Sequence, residues 1–397
     1  MAQNRAYINK ETLAFICSQI GVSVSFLAQK TRYKEEQIRS WLDETNDDLP
    51  TFTQAKCIAK VLRIPFAGLY MRKENVPIRR LPSFRNLRTL QNRVTLDDSL
   101  LNIAIAELIR YHNFLSSSES DLGISSIPPL LPIISDSASV IDYATTIRTF
   151  YDIKLADQLR LKSPRQFYLY VRQKIENKGI FIHCFTGVDV EIARGISIYN
   201  EATPIIGIND KDRYPAKTFS MIHELVHIIK RQSTLCNEMY ASFTSSREEV
   251  FCNAVAGEVL VPEASLHTYL TANNITGFNL DNIEKAAKRF NISKEVIIRR
   301  LFDTKKLTKD EYDTFANEIL HRFLQERENE KIARQEGHGK PIIRSISREA
   351  IDKCSPSICK ILLIGYNEGY FSRQEVSGFL GIKERYIPEF FSEVVRW

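Results

Sequence analysis

No apolar run in this chain approaches the ~20 residues that a helix needs to cross a bilayer, and the opening stretch, MAQNRAYINKETLAF, has no signal-peptide core. A cytoplasmic location with no membrane partner is the expectation. Cysteine is scarce as well. The seven (Cys17, Cys57, Cys184, Cys236, Cys252, Cys354 and Cys359) are scattered, odd in number and without zinc-finger spacing. Even the closest pair, Cys354 and Cys359, encloses Pro356 and leads to no further His or Cys cluster. A disulfide framework is thereby disfavoured, and free thiols in a reducing compartment are expected. A dominant charge sign is also missing. With 54 Lys and Arg against 48 Asp and Glu, the net charge is only +6, so nucleic-acid binding has to be judged from where the basic residues fall. The composition, 44% hydrophobic and 26% charged, is that of an ordinary globular protein. A length of 397 residues points to two or three compact units.

Four segments differ in texture. Residues 1–72 read as short helices: VSVSFLAQKTRYKEEQIRSWLDET gives two, turning at Thr31-Arg32-Tyr33, and Thr51 opens a third that Pro65 closes. That succession is a helix-turn-helix-like pattern. Residues 73–140 read as a connector. It holds an extended basic piece around Pro77 and Pro82, then an amphipathic helix from about Leu96 to Leu115 with Leu100, Ile103, Ala104, Leu108 and Tyr111 on one face, then the loop-like run SSSESDLGISSIPPLLP. Residues 141–310 mix helices with short β-type runs, GIFIHCF, ARGISIYN and PIIGIND, the last two forming a hairpin. Residues 311–397 hold the strongly charged run HRFLQERENEKIARQEGHGKP, whose alternating sign reads as a solvated helix or linker, and end in a small helical unit where FSRQEVSGFLGIKERYIPEFF turns at Gly381.

The chemistry concentrates in His223-Glu224-Leu225-Val226-His227. Residues i and i+4 of a helix share a face, so the two imidazoles can hold one Zn²⁺ while Glu224 is left to polarise the attacking water. Phe219, Ile222, Leu225, Val226 and Ile229 supply the apolar surface that buries such a helix. A catalytic zinc needs a third protein ligand and an open position, and a second helix, expected from about Ser246 to Leu260, offers a carboxylate in the gluzincin manner. Helical periodicity does not choose between Glu248 and Glu249. Cys252 falls on the same side and is read as a packing residue. His112, His183, His267, His321 and His338 show no paired spacing and are read as solvated or packed.

These runs together resemble the ImmA/IrrE family of metallopeptidases, in the variety with an N-terminal helix-turn-helix-like region. The family pattern is a glycine-led strand, a proline-started strand ending in Asn, HELxH, and E-x-x-A-N-x-x-A-x-x-L-L-x-P; the chain has GISIYN, PIIGIN, HELVH and EVFCNAVAGEVLVP. Cys252 stands where alanine is common and Val226 where glycine is common. The likeness covers about residues 20–310. It implies His223, His227 and Glu249 as zinc ligands and Glu224 as the catalytic glutamate. The implied fold is α+β and mainly helical, a zincin-like core with a small mixed sheet flanked by helical units. The implied partner is a protein substrate such as a helix-turn-helix repressor or an antitoxin. In zincins an edge strand beside the metal helix receives substrate as an added strand, and one of 194–200 and 204–209 is expected to be that edge.

Two rival readings use the same residues. In one the chain is a DNA-binding transcriptional regulator with a non-catalytic metal site. Across 30–48, however, Glu35, Glu36, Asp43, Glu44, Asp47 and Asp48 outnumber Lys30, Arg32, Lys34 and Arg39, and a net-acidic face repels phosphates. Docking of protein or dimerisation fits that face better, and the basic connector (Arg72, Lys73, Arg79, Arg80, Arg85, Arg88) is the remaining candidate for phosphate contact. In the other reading the chain is the toxin of a toxin–antitoxin or phage-defence pair.

Overall fold

Side-chain caps fix where most helices start. Asn9, Ser23, Thr51, Ser139, Ser163, Asn279 and Ser293 each accept the backbone N–H three residues on, which satisfies a donor the helix cannot. The computed structural model describes residues 4–76, 96–122, 129–135, 137–236, 247–335 and 345–396; the basic positions Arg79, Arg80, Arg85 and Arg88 lie outside them. The chain is mainly helical with one small mixed sheet, the α+β class expected.

Near the N-terminus, helices Lys10–Ile20, Val24–Thr31, Glu35–Leu42 and Phe52–Val61 enclose a core of Leu13, Ile16, Phe26, Leu27, Ile38, Trp41 and Ile58. The expected turn between the second and third is made by Arg32 in the left-handed region at φ 64°. The next helix, Leu96–Leu122, runs seven residues beyond the expected end at Leu115, so the serine-rich start of the expected loop is helical. Extending a helix that packing has already nucleated adds one hydrogen bond per residue fixed, and serine composition does not overcome that.

This long helix is the hub of the molecule. Ile103 enters the N-terminal core. Ala104, Ile105, Leu108 and Tyr111 enter a second core, shared with one face of the sheet and with the C-terminal helices Pro356–Asn367 and Ile387–Val395. The sheet comprises β1 (Phe181–Phe185), β2 (Gly195–Ile198), β3 (Ile205–Asn209) and β4 (Thr234–Cys236), in the order β1-β3-β2-β4. β1 and β3 are parallel; β2 is antiparallel to β3 and to β4. The expected hairpin is thus present, but neither of its strands is an edge. Three residues that follow the motif helix, Thr234–Cys236, pair with β2 and take the outer position. No alternation is legible in so short a segment, which is why it read as loop.

Strand alternation sorts the two faces. Phe181, Phe185 and Ile205 point to the hub helix, while Ile182, Cys184, Ile206 and Ile208 meet the motif helix, Tyr214–Ile229. At Gly207 a Cβ would stand 2.5 Å from a Leu108 methyl, so the hub helix approaches the sheet through a glycine. The charged run from His321 is helical as far as Gln335, and its described side chains are exposed or half-buried, as expected. The same helix, Lys309–Gln335, is held down nearer its start, where Tyr312 and Ile319 are buried in the motif helix's core.

A buried ion pair anchors the second helix of the site, Arg247–Leu260. Glu258 bonds the Arg300 guanidinium, and Arg300 Nε donates to Val261 O at 3.0 Å. Both side chains are almost fully buried. Removing one partner strands the other charge, so Arg300→Ala should lower stability by about 3–5 kcal/mol, read as a fall in the urea midpoint. The double change Glu258→Leu with Arg300→Met should recover most of the loss; equal loss in single and double variants would contradict this account.

Candidate metal centre

The motif helix starts with Pro215 in its first turn and is buried from Lys217 to Ile229 except at Phe219, which is half-buried. A helix apolar on nearly every side belongs inside a core, and here His223, Glu224 and His227 are buried with it. The helix Arg247–Leu260 packs alongside and supplies the third group. Glu249 Oε2 lies 3.2 Å from His223 Nε2, Glu249 Oε1 lies 3.4 Å from His227 Nε2, and the two Nε2 atoms are 3.1 Å apart. Burial alone would raise the Glu249 carboxyl, but the two imidazoles hold it well below the usual carboxylate range.

These separations can be set against those a metal would impose. Tetrahedral coordination with bonds of about 2.0–2.2 Å places ligand atoms roughly 3.3–3.5 Å from one another, close to the three distances above. One carboxylate directs separate oxygens to two imidazole nitrogens, a donor set of N, N and O that suits zinc. The group could hold a divalent ion. Glu248, which periodicity left as an alternative, turns the other way. It accepts from Lys230 Nζ at 2.7 Å and from Gln232 Nε2 at 2.6 Å.

Gln232 continues that chain of contacts. Its Oε1 is 3.3 Å from His227 Nδ1, so it accepts the Nδ1 proton and leaves the Nε2 lone pair facing Glu249 and His223, the usual support for a metal-binding imidazole. Cys252 is fully buried with Sγ 3.9 Å from His227 Nδ1. It packs on the far side of that ring, away from the Nε2 atoms.

Glu224 points elsewhere, into the junction of the helix with β2 and β4. Its Oε2 accepts from Thr234 Oγ1 at 3.2 Å, and Ser197 Oγ lies 2.7 Å from the same threonine oxygen. Its Oε1 is buried without a partner. Gly195 makes this approach feasible. A Cβ there would fall 2.3 Å from Glu224 Oε1 and 2.7 Å from its Cγ. Gly195, Gln232 and Thr234 were not identified from the sequence. Gly195 leads the quoted strand, but the reason for it is a contact across the fold, and RQST after the helix reads as plain loop.

Among the described residues no other histidine joins this cluster. His183 stacks on Tyr111 at 4.0 Å between ring centroids, His112 Nδ1 meets Thr203, and His338 lies outside the described residues. Among the described residues no single helix is long and apolar enough to cross a membrane.

Residues 180–302 match the family model Peptidase_M78, described as IrrE N-terminal-like domain. The match spans all four strands, the motif helix and the helix carrying Glu249, and stops short of the N-terminal helices, whose helix-turn-helix-like reading it does not reach. No curated protein and no solved structure matches the chain.

Zinc retention checks the geometry. His227→Ala and Glu249→Ala should each abolish retention of zinc through gel filtration, whereas Glu224→Gln should keep it. Gln232→Ala should weaken affinity by about 10–100-fold in a chelator competition. An unchanged affinity in Gln232→Ala would remove Gln232 from the site.

Proposed function

The chain carries an ImmA/IrrE-type domain over residues 180–302, and from that premise we propose that it is a zinc-dependent endopeptidase acting on a regulatory protein. The observation that carries the reading is the separation of roles between two adjacent buried residues. His223 faces His227 and Glu249, while Glu224 faces the strands.

Zn²⁺ held by His223, His227 and Glu249 would supply Lewis acidity, bringing a water's pKa from 15.7 to about 7 and polarising a carbonyl. The protein supplies the rest. Glu224 Oε1 has no partner among the described residues, and it is the oxygen that would take the proton of the attacking water and deliver it to the departing amine. Thr234 Oγ1 holds the other carboxylate oxygen and fixes which one is presented. Gln232 and Cys252 keep the His227 ring in place.

The sheet edge beside this chemistry is β4, not either strand of the hairpin. An extended segment joining the sheet would therefore align on Thr234–Cys236, within reach of the residue that positions Glu224. A repressor of the helix-turn-helix class or an antitoxin is the proposed substrate. The net-acidic 30–48 stretch, whose Asp43, Glu44, Asp47 and Asp48 follow the helix Glu35–Leu42, favours protein docking over DNA binding.

Glu224→Gln should retain zinc and lose cleavage of such a substrate by about 10²–10⁴-fold. If it cleaves as fast as the wild type, the general-base assignment fails. Gly195→Ala should also retain zinc and slow turnover by about 10²-fold, because the added methyl displaces the Glu224 carboxylate by about 1 Å; the measurement is kcat beside bound zinc.

A further inference from the structure

A cavity of about 540 Å³ lies on the N-terminal side of the metal cluster. Ala216, Phe219 and Ser220 line it, and these occupy the helical stripe that continues to His223 and His227. Asn253, one turn after Glu249 on the neighbouring helix, lines it too, as does Arg194, the residue before Gly195. Each of the three elements that build the centre thus extends into the wall of this cavity.

Two donors in that wall are buried and unsatisfied. Arg194 is 4% exposed; its Nη1 bonds Asp212, while Nε and Nη2 have no partner. Asn253 is also 4% exposed, and its Nδ2 has no partner. Buried N–H groups without acceptors are costly, and ordered water or the polar group of a ligand in the cavity would supply what they lack. The charge of the wall selects its kind. Six basic side chains line the cavity against three acidic ones; two of the six, Arg213 and Arg299, are paired with Glu326 and Asp303 outside the lining, which leaves four basic groups facing three acidic ones. Glu284 is shared by Lys288 at 2.8 Å and Lys294 at 3.9 Å, so one carboxylate serves two ammonium groups. Tyr312 and Phe323 of the helix Lys309–Gln335 also line the cavity, and its volume leaves room for a side chain together with neighbouring residues of a peptide.

We propose that this cavity is a specificity pocket for an acidic side chain of the substrate, with Arg194 and Asn253 as the donors that hold an Asp or Glu carboxylate. The inference rests on the peptidase reading above and names the substrate class for that site. Arg–carboxylate recognition is charge-assisted and directional, and a site built to bond a polar group discriminates strongly against substrates that lack it.

The test uses the full-length zinc-loaded protein and decapeptide pools randomised at every position except one, fixed as Glu, Leu or Lys. Wild type should cleave the Glu pool at least about tenfold faster than the Leu pool, and the Lys pool slowest. Fluorescence anisotropy with Glu224→Gln should give the same order in affinity. Arg194→Gln should bring the Glu and Leu pools within about twofold of each other. Asn253→Asp, which keeps size and replaces a donor with a carboxylate, should reverse the order, with zinc content and melting temperature recorded for both. Binding that favours Leu or Lys, or an acidic preference that survives both substitutions, overturns the pocket assignment. Acid-selective binding by Glu224→Gln with no cleavage by wild type sinks the peptidase reading and leaves the pocket standing.

Discussion

Everything at the centre depends on one carboxylate lying between two imidazoles. Glu249 reaches His223 and His227 only because two helices separated by residues 230–246 are packed side by side. Three groups with inward lone pairs do not gather in a core without a counter-charge, which is the physical argument for a cation at their focus. The packing that brings them together is held from behind by Glu258 and Arg300, a pair whose value is positional as much as energetic.

The same economy of position governs Glu224. It sits next to a metal-facing histidine in sequence but a quarter-turn of helix points it at the strands. There, a missing Cβ at Gly195 gives it room and the Thr234 hydroxyl gives it direction. A helix of this kind has to be buried on nearly every side, and the fold meets that demand by placing the sheet against one face and further helices against the others. The opposite face of the sheet is closed by the hub helix Leu96–Leu122, which also touches the N-terminal and C-terminal helical units. A disturbance in either unit therefore has a packed route to the strands beside Glu224.

Much of this was legible beforehand. The motif helix, the glutamate helix and the β-hairpin each carry a local signature: histidines at i and i+4, a helix stopped at Pro262, short β-branched runs around a turn. The long helix was underestimated at its C-terminal end because serines look like loop. β4 was missed, and with it the true edge of the sheet, because three residues show no period. The charged run from His321 was legible as solvated from its alternating sign, whereas the anchoring of the same helix by Tyr312 and Ile319 lies before that run and depends on contacts with the motif helix's core.

The sequence by itself determined which residue types are available for metal chemistry and which helices carry them, because helical spacing is a local rule. It could not choose Glu249 over Glu248 by periodicity; the pairing of Glu248 with Lys230 and Gln232 does so, through contacts between separate elements. Only the tertiary structure decided that Gln232 backs His227, that Thr234 steadies Glu224, and that Arg194 and Asn253 face a common cavity. These are distances between segments brought together by burial of apolar surface, and no spacing along the chain encodes them.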